Sequence, residues 1–106
     1  MSQYQRINPA QAAEMLDNGK TVVVDIRDPA SYGEGHMPGA MTISNANIQQ
    51  FVEDTAKDAP VIVCCYHGHA SQQGAAFLSH HGFSDVYSMD GGFVGWAMQF
   101  PDRIER

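Results

Sequence analysis

Residues 61–71 read VIVCCYHGHAS, an apolar run that passes directly into a short polar loop. Four successive apolar residues at 61–64 are typical of a strand that is buried on both faces of a parallel sheet. A second run of this kind, TVVV at residues 21–24, predicts another central strand. Because helical patterns lie between the strand candidates, the sequence favours an α/β fold with a mostly parallel sheet.

The first helix has a well-marked start. Asn8 can cap it, Pro9 stands at its first position, and Gln11 completes a capping-box pattern. Gly19 is suited to end it, because glycine readily adopts the left-handed conformation that follows many helices. These signals predict a helix between residues 9 and 18.

The rest of the chain continues the alternation of strands and helices. Further strands are predicted at residues 41–43 and 86–89. Four further helices are predicted: one from Asp28 through Tyr32, one capped by Ser44, one capped by Ser71 and ended by Gly82, and one after Gly91-Gly92 that carries Trp96. With 106 residues, the chain is expected to form one domain over residues 1–106.

Charge and composition exclude several classes of partner. The chain has 12 acidic and 6 basic side chains and a net charge of −6, which argues against nucleic acid and anionic membranes. No stretch is long enough to span a bilayer, and residues 1–10 lack the apolar core of a secretory signal. Adjacent Cys64 and Cys65 cannot form an unstrained disulfide, so we expect free thiols and a cytoplasmic location.

Cys65 is the candidate nucleophile, because it stands where a buried strand ends and a helix is about to begin. Ligand sites of parallel sheets lie at this edge. Gly68 allows the loop to curl, so that backbone amides and the helix start can favour a thiolate and hold an anionic substrate. The predicted binding residues are those of the loop: Tyr66, His67, Gly68, His69, Ala70 and Ser71.

Alternative roles for the two cysteines are less well supported. Cys65 could be a small buried apolar residue, but its position between strand and helix argues against that reading. Cys64 lies within the strand and should point to the opposite face, which favours a role in the core. A zinc site made of both cysteines with His67 and His69 is disfavoured by the spacing, so no metal is expected.

Four segments carry a family resemblance: VDIRD at 24–28, GHMPGA at 35–40, VCCYHG at 63–68, and YSMDGGF at 87–93 with Trp96. In this order they resemble a rhodanese domain, specifically the single-domain thiosulfate sulfurtransferases of the GlpE type. The resemblance implies a three-layer α/β domain with a five-stranded parallel sheet flanked by helices.

The resemblance also implies an activity. Cys65 would attack the outer sulfur of thiosulfate, release sulfite and become a persulfide, whose sulfur then passes to cyanide or to a dithiol acceptor such as thioredoxin. No metal or organic cofactor is implied. Two alternatives remain open: a sulfur-relay carrier with another donor, and a non-catalytic binding module built on the same loop.

The loop departs from its relatives in ways that matter for anion binding. No Lys or Arg lies between Asp58 and Asp102, and positions 71 and 72 are Ser and Gln. A cysteine phosphatase needs an arginine there to clamp phosphate, so that activity is disfavoured. His69 replaces an expected asparagine and Ala70 lacks a hydroxyl, which leaves His67 and His69 as the only side chains of the loop that can become cationic.

Arg27 and Asp25 follow the first central strand and should lie at the same sheet edge as Cys65. A polar role beside the site is one interpretation. An ion pair that holds neighbouring loops is the interpretation we favour.

Overall fold

The computed structural model describes residues 4–106. Its centre is a five-stranded sheet in which every strand pairs in parallel with its neighbours, in the order β1-β5-β4-β2-β3. The strands are β1 (Gln5–Ile7), β2 (Val22–Asp25), β3 (Met41–Thr42), β4 (Val61–Cys64) and β5 (Val86–Met89). The helices are α1 (Pro9–Asp17), α2 (Pro29–Glu34), α3 (Ile48–Asp54), α4 (Ala70–His80) and α5 (Gly92–Gln99). The predicted α/β class and the parallel five-stranded sheet are therefore confirmed.

Strand β4 forms the middle of the sheet because all its residues are apolar. Each of its four side chains has no exposed surface, and it lies between β2 and β5. Val61 and Val63 belong to the core beneath α3 and α4, whereas Ile62 and Cys64 belong to the core beneath α1 and α5. Burying each of these valine or isoleucine side chains contributes about 1.5–3 kcal/mol. Helices on both faces thus give the predicted three layers.

The start of α1 confirms the predicted capping box. The Gln11 amide donates to Asn8 Oδ1 at 2.8 Å, and the Asn8 amide donates to Gln11 Oε1 at 2.9 Å. Pro9 occupies the first helical turn, where its missing N–H costs nothing. Gly19 follows the helix with a φ of 81°, a conformation that strongly favours glycine.

The predicted cap of α3 is wrong. The helix begins at Ile48, and Asn47 precedes it. The Ser44 hydroxyl instead accepts from the Ala46 amide at 3.2 Å and so stabilises the turn before the helix. Asn47 joins this turn, because its Oδ1 accepts from the Ser44 amide at 2.8 Å.

The predicted cap of α4 is also wrong. The helix begins at Ala70, one residue before Ser71, and Ser71 is fully buried within the first turn. Its hydroxyl lies 2.7 Å from the hydroxyl of Ser88 and makes no capping bond. The residue before the helix is His69, whose side chain makes no capping hydrogen bond either. Gly82 follows the helix end as predicted, with a φ of 101°.

One helix boundary and one strand were not anticipated from the residue pattern. Helix α2 starts after Asp28 as predicted but continues to Glu34, two residues beyond Tyr32. Strand β1 was implied only through the family resemblance. It has three residues and pairs with the edge of β5. Residues 1–3 of the predicted domain lie outside the described residues. None of the helices within residues 4–106 has the length and apolar character that a membrane span requires.

Candidate active site

Cys65 lies immediately after β4, at the carboxyl edge of the sheet, and only 4% of its surface is exposed. Its sulfur accepts a hydrogen bond from the Gly68 amide at 3.1 Å and another from the Ser71 amide at 3.2 Å. The loop from Cys65 to the start of α4 therefore curls around the sulfur. Two amides from the predicted stretch point at the sulfur of the candidate nucleophile.

The curl of the loop depends on glycine at two places. Gly68 has a φ of 93°, and a Cβ at this position would lie 2.8 Å from the Gly91 nitrogen. Gly92 has a φ of 59°, and a Cβ there would lie 2.4 Å from the carbonyl carbon of Tyr66 and 2.5 Å from the Cys65 carbonyl oxygen. Because such contacts are impossible for a real side chain, the turn before α5 can press against the loop only with glycine.

The start of α5 binds the outer side of the loop backbone. The Phe93 amide donates to the Cys65 carbonyl at 2.7 Å, and the Val94 amide donates to the Tyr66 carbonyl at 3.2 Å. The first amides of a helix have no partner within the helix, so these two bonds also satisfy α5. With its carbonyls held from this side, the loop is fixed in the conformation that turns amides toward the sulfur.

The surroundings of Cys65 lower the pKa of its thiol. Burial acts to raise that pKa, but hydrogen bonds from the side chain and amide of Ser71 and from the backbone of Gly68 and His67 act against it, and the net direction is downward. Cys64 is the opposite case, since complete burial and the nearby Asp25 carboxylate raise the pKa of its thiol. Two adjacent cysteines thus have opposite ionisation preferences.

The pH dependence of alkylation should show this difference. We expect iodoacetamide to modify Cys65 with a midpoint below the ordinary thiol value of about 8.5, and to leave Cys64 unmodified in the folded protein. Peptide mass mapping after alkylation across a pH series measures both outcomes. A midpoint at or above the ordinary value, or preferential labelling of Cys64, would contradict the electrostatic assignment.

Tyr66 follows Cys65 in the loop and connects the loop to α2. Its side chain is 44% exposed, and its hydroxyl donates to Asp28 Oδ1 at 2.6 Å and lies 2.7 Å from the Ser31 hydroxyl. Hydrogen bonds from Ser31 and Tyr66 lower the pKa of Asp28, which stays ionised as the cap of α2. The loop is therefore anchored to a neighbouring helix as well as to α5.

The interpretation of Arg27 and Asp25 as an ion pair is confirmed. Arg27 Nη2 lies 2.7 Å from Asp25 Oδ2 and also donates to the Gly35 carbonyl at 2.6 Å, and both side chains are buried. The guanidinium stands 4.2 Å from the centre of the Phe93 ring. Arg27 thus ties the end of β2 to the end of α2 and to α5, and Asp25 neutralises its charge.

The remaining loop side chains lie on the outside. His67, His69 and Ala70 are exposed, and Ala70 begins α4. Ser71 is buried beneath the sulfur. The predicted loop residues thus turn their backbone toward Cys65. Their side chains, apart from that of Ser71, face away from the core.

Within residues 4–106, no group of three or more His, Cys, Asp or Glu side chains is placed to hold a metal ion. A cleft of about 570 Å³ lies between α4 and the ends of β2 and β3, and Ile26, Ile43, Phe51 and Phe77 are among its lining residues. Cys65 is not one of them. A small anion is therefore expected at the loop amides and not in this mainly apolar cleft.

Comparison with known proteins identifies the family. Residues 8–99 match the model of the Rhodanese-like domain. This chain belongs to the rhodanese family. The loop that begins at Cys65 is called the rhodanese loop below.

Curated relatives of this rhodanese chain share half of its residues. A protein named thiosulfate sulfurtransferase GlpE from Pseudoalteromonas translucida (strain TAC 125) is 48% identical over 103 residues, which cover 97% of this chain and 98% of the relative. A protein of the same name from Ectopseudomonas mendocina (strain ymp) is 50% identical over 101 residues, covering 95% and 92%. The resemblance inferred from the four sequence segments is therefore confirmed.

Solved structures confirm the rhodanese fold. The crystal structure of reduced Bacillus anthracis CoADR-RHD superposes with a TM-score of 0.83 at 22% identity and covers 97% of this chain and 18% of its own. A rhodanese-related protein from Thermoplasma volcanium superposes with a TM-score of 0.78 at 25% identity, covering 91% and 93%. The fold is thus shared well beyond the range of close sequence similarity.

Several residues around the rhodanese loop were missed by the sequence analysis. Asp28 and Ser31 bind Tyr66 from 38 and 35 positions away, and no local pattern indicates that pairing. Gly92 was recognised only as part of a helix start, although its close approach to the loop makes it essential. Ser88 could have been singled out from the sequence, because it is a polar residue inside the otherwise apolar or aromatic strand at 86–89.

Proposed function

We propose that this chain is a thiosulfate sulfurtransferase in which Cys65 carries the transferred sulfur as a persulfide. The observation that carries the proposal is the pair of amide hydrogen bonds, 3.1 and 3.2 Å long, that the Cys65 sulfur accepts from its own loop. They favour a thiolate at the carboxyl edge of the sheet, where the ligands of parallel sheets bind. The names of the relatives supply the substrate, thiosulfate.

In the first step the Cys65 thiolate attacks the outer sulfur of thiosulfate. A bond forms between the two sulfurs, the original sulfur–sulfur bond breaks, and its electron pair leaves with sulfite. Cys65 then carries a persulfide whose negative charge rests on the outer sulfur. The amides around the loop stabilise this charge in place, as backbone donors do at other anionic centres.

In the second step an acceptor removes the outer sulfur. Cyanide attacks it to give thiocyanate, and the bond electrons return to Cys65 as a thiolate. With a dithiol such as thioredoxin, the first thiolate takes the sulfur as a persulfide, and the second then displaces hydrosulfide to form a disulfide. Both routes restore the starting enzyme, which is the ping-pong pattern of covalent catalysis.

Substrate binding is assigned to the whole rhodanese loop. The backbone of residues 66–71 and the start of α4 supply the positive potential that a dianion needs, in a loop with no Lys or Arg. Tyr66 shapes one wall, and exposed His67 and His69 lie at the rim. The proposal takes residues 1–106 as one catalytic domain that works without a cofactor in a reducing compartment, the cytoplasm, where free cysteines persist.

Intact-mass measurement after thiosulfate treatment tests the proposal directly. We expect a gain of one sulfur atom per chain, lost again on addition of cyanide or a dithiol. A sulfur-relay carrier would take up this sulfur from another persulfide donor and not from thiosulfate. A non-catalytic binding module would show no adduct with either donor, which would refute the proposed chemistry.

A further inference from the structure

Five large apolar side chains within residues 4–106 are substantially exposed, and three of them lie beside the rhodanese loop. These three are Tyr66, Val94 and Met98, of which Met98 is 81% exposed. Val94 and Met98 stand four positions apart on α5 and therefore share one side of the helix with Ala97. The Val94 amide donates to the Tyr66 carbonyl at 3.2 Å, so this side of α5 continues directly into the loop. Tyr66, Val94, Ala97 and Met98 are called the α5 face below.

The α5 face lies in a part of the chain that carries no formal charge. Residues 65–71 and 92–99 contain no Asp, Glu, Lys or Arg, although the chain has 12 acidic and 6 basic side chains. The centres of protein interfaces are likewise poor in charged residues and rich in aromatic residues and methionine. Because the net charge of the chain is −6, an acidic partner also meets less repulsion at this face than at the carboxylates elsewhere.

A cleft of about 360 Å³ adjoins the α5 face. Tyr66, Phe93 and Ala97 are among its lining residues, and Glu34 and Arg106 also contribute. Tyr66 and Ala97 thus belong both to the face and to the cleft. A concave and largely apolar cleft of this size can take an aromatic or aliphatic side chain from a partner, which is how the strongest contacts of an interface are commonly made.

The chemistry of the second step decides which partner this face serves. Only 4% of the Cys65 surface is exposed, so an acceptor has to approach along the loop and contact its neighbours. Cyanide is small enough to reach the sulfur without contacting α5. A protein acceptor covers a wider area around its attacking thiol, up to about 1,200 Å² in total for transient redox complexes. The apolar face that continues from the loop is then covered as well.

We propose that the α5 face is the docking surface for a protein dithiol that accepts the sulfur from Cys65. This inference rests on the proposed persulfide function. The partner presents an apolar, weakly charged surface around its reactive thiol, and one apolar side chain of that surface enters the cleft beside Tyr66. Its first thiolate bonds to the outer sulfur, and the bond from that sulfur to Cys65 breaks, with the electron pair returning to Cys65. Its second thiol then displaces hydrosulfide and closes the disulfide.

Met98→Lys separates protein acceptors from small ones. Lysine places a charge within the face, and the fold should not suffer, because Met98 is largely exposed and the two residues have similar helix propensity. With reduced thioredoxin as the probe, kcat/KM for the acceptor should fall at least about tenfold, as expected for loss of an interface anchor. The kcat/KM for cyanide should stay native, because the reacting groups are unchanged.

Met41→Lys is the matched control. Met41 is another exposed methionine, but it lies on β3 at the edge of the sheet, separated from β4 by β2. The same chemical change there should alter neither the thioredoxin reaction nor the cyanide reaction.

A measurement without turnover tests the docking independently of sulfur transfer. In protein labelled with carbon-13 at the methionine methyl groups, the two lysine variants assign the NMR signals of Met98 and Met41. With no sulfur donor present, reduced thioredoxin should shift or broaden the Met98 signal and leave the Met41 signal unchanged.

A native kcat/KM for thioredoxin in Met98→Lys would overturn the inference, and so would a Met98 signal that thioredoxin does not affect. Equal losses with thioredoxin and cyanide would also overturn it, because Met98 would then act on Cys65 itself. A native dimer in sedimentation that Met98→Lys dissociates would assign the face to a second copy of the chain and refute the docking role. If the native protein transfers no sulfur from thiosulfate, the proposed function fails, and the Met98 signal alone decides whether this face binds the dithiol.

Discussion

Cys65→Ser should lower thiosulfate:cyanide transfer by at least about three orders of magnitude, because a hydroxyl at this position cannot supply the ionised nucleophile. The hydrogen bonds from Gly68 and Ser71 would then surround a neutral oxygen, and no persulfide could form. Thiocyanate production measures the loss, and intact mass shows whether any sulfur is taken up.

Cys64→Ser is the matched control, since it makes the same chemical change one residue earlier. Its side chain is fully buried on the opposite face of β4, so the variant should lose about 1–2 kcal/mol of stability from burying a hydroxyl. Its transfer activity in the folded state should stay close to that of the native protein. Substantial transfer by Cys65→Ser, or its loss in folded Cys64→Ser, would contradict the assignment of the nucleophile.

Gly92→Ala is expected to have the second large effect, through the backbone and not through the chemistry. A Cβ at this position would lie 2.4 Å from Tyr66 backbone atoms, in a residue whose φ is 59°. Left-handed backbone costs a residue with a side chain about 1–2 kcal/mol, and the clash brings the expected loss to at least about 3 kcal/mol. A loop displaced by about 1 Å should also lower kcat/KM about a hundredfold.

Gly95→Ala provides the comparison within the same helix. A Cβ there meets no atom closer than 3.8 Å, the Pro9 ring carbon, and the residue has ordinary helical backbone. We expect this variant to keep its activity and to gain up to about 1 kcal/mol from better helix propensity. Urea unfolding and steady-state kinetics of the pair give both quantities. Equal stability and activity in the two variants would show that the close approach of α5 to the loop is unimportant.

The features predicted correctly from sequence depend on neighbouring residues. Four apolar residues at 61–64 predicted a central strand and placed the candidate nucleophile Cys65 just beyond its carboxyl end, where the structure has it. The capping box of Asn8 and Gln11 is likewise local and was found as predicted. Patterns of this kind can be recognised in the sequence because the periodicity of strands and helices is visible within a few neighbouring residues.

The features missed depend on partners far along the chain. Ser71 was predicted to be a helix cap because serine commonly caps helices. Its amide instead donates to the Cys65 sulfur, and its hydroxyl is hydrogen-bonded to the hydroxyl of Ser88. Strand β1 has only three residues and one buried side chain, which is too little pattern to detect, and it forms because β5 offers an edge to pair with. The bond from Tyr66 to Asp28 spans 38 residues and has no local signature.

The bonds from α5 to the carbonyls of Cys65 and Tyr66 have a consequence for engineering. Because the loop backbone is anchored from behind, its amides keep their places whatever side chains stand at 67, 69 and 70, which are exposed. The same short segment thus directs fixed amides at the Cys65 sulfur on its inner side and carries exposed side chains on its outer side. Libraries randomised at those three positions could therefore retarget the protein to new sulfur acceptors while the donor chemistry stays intact.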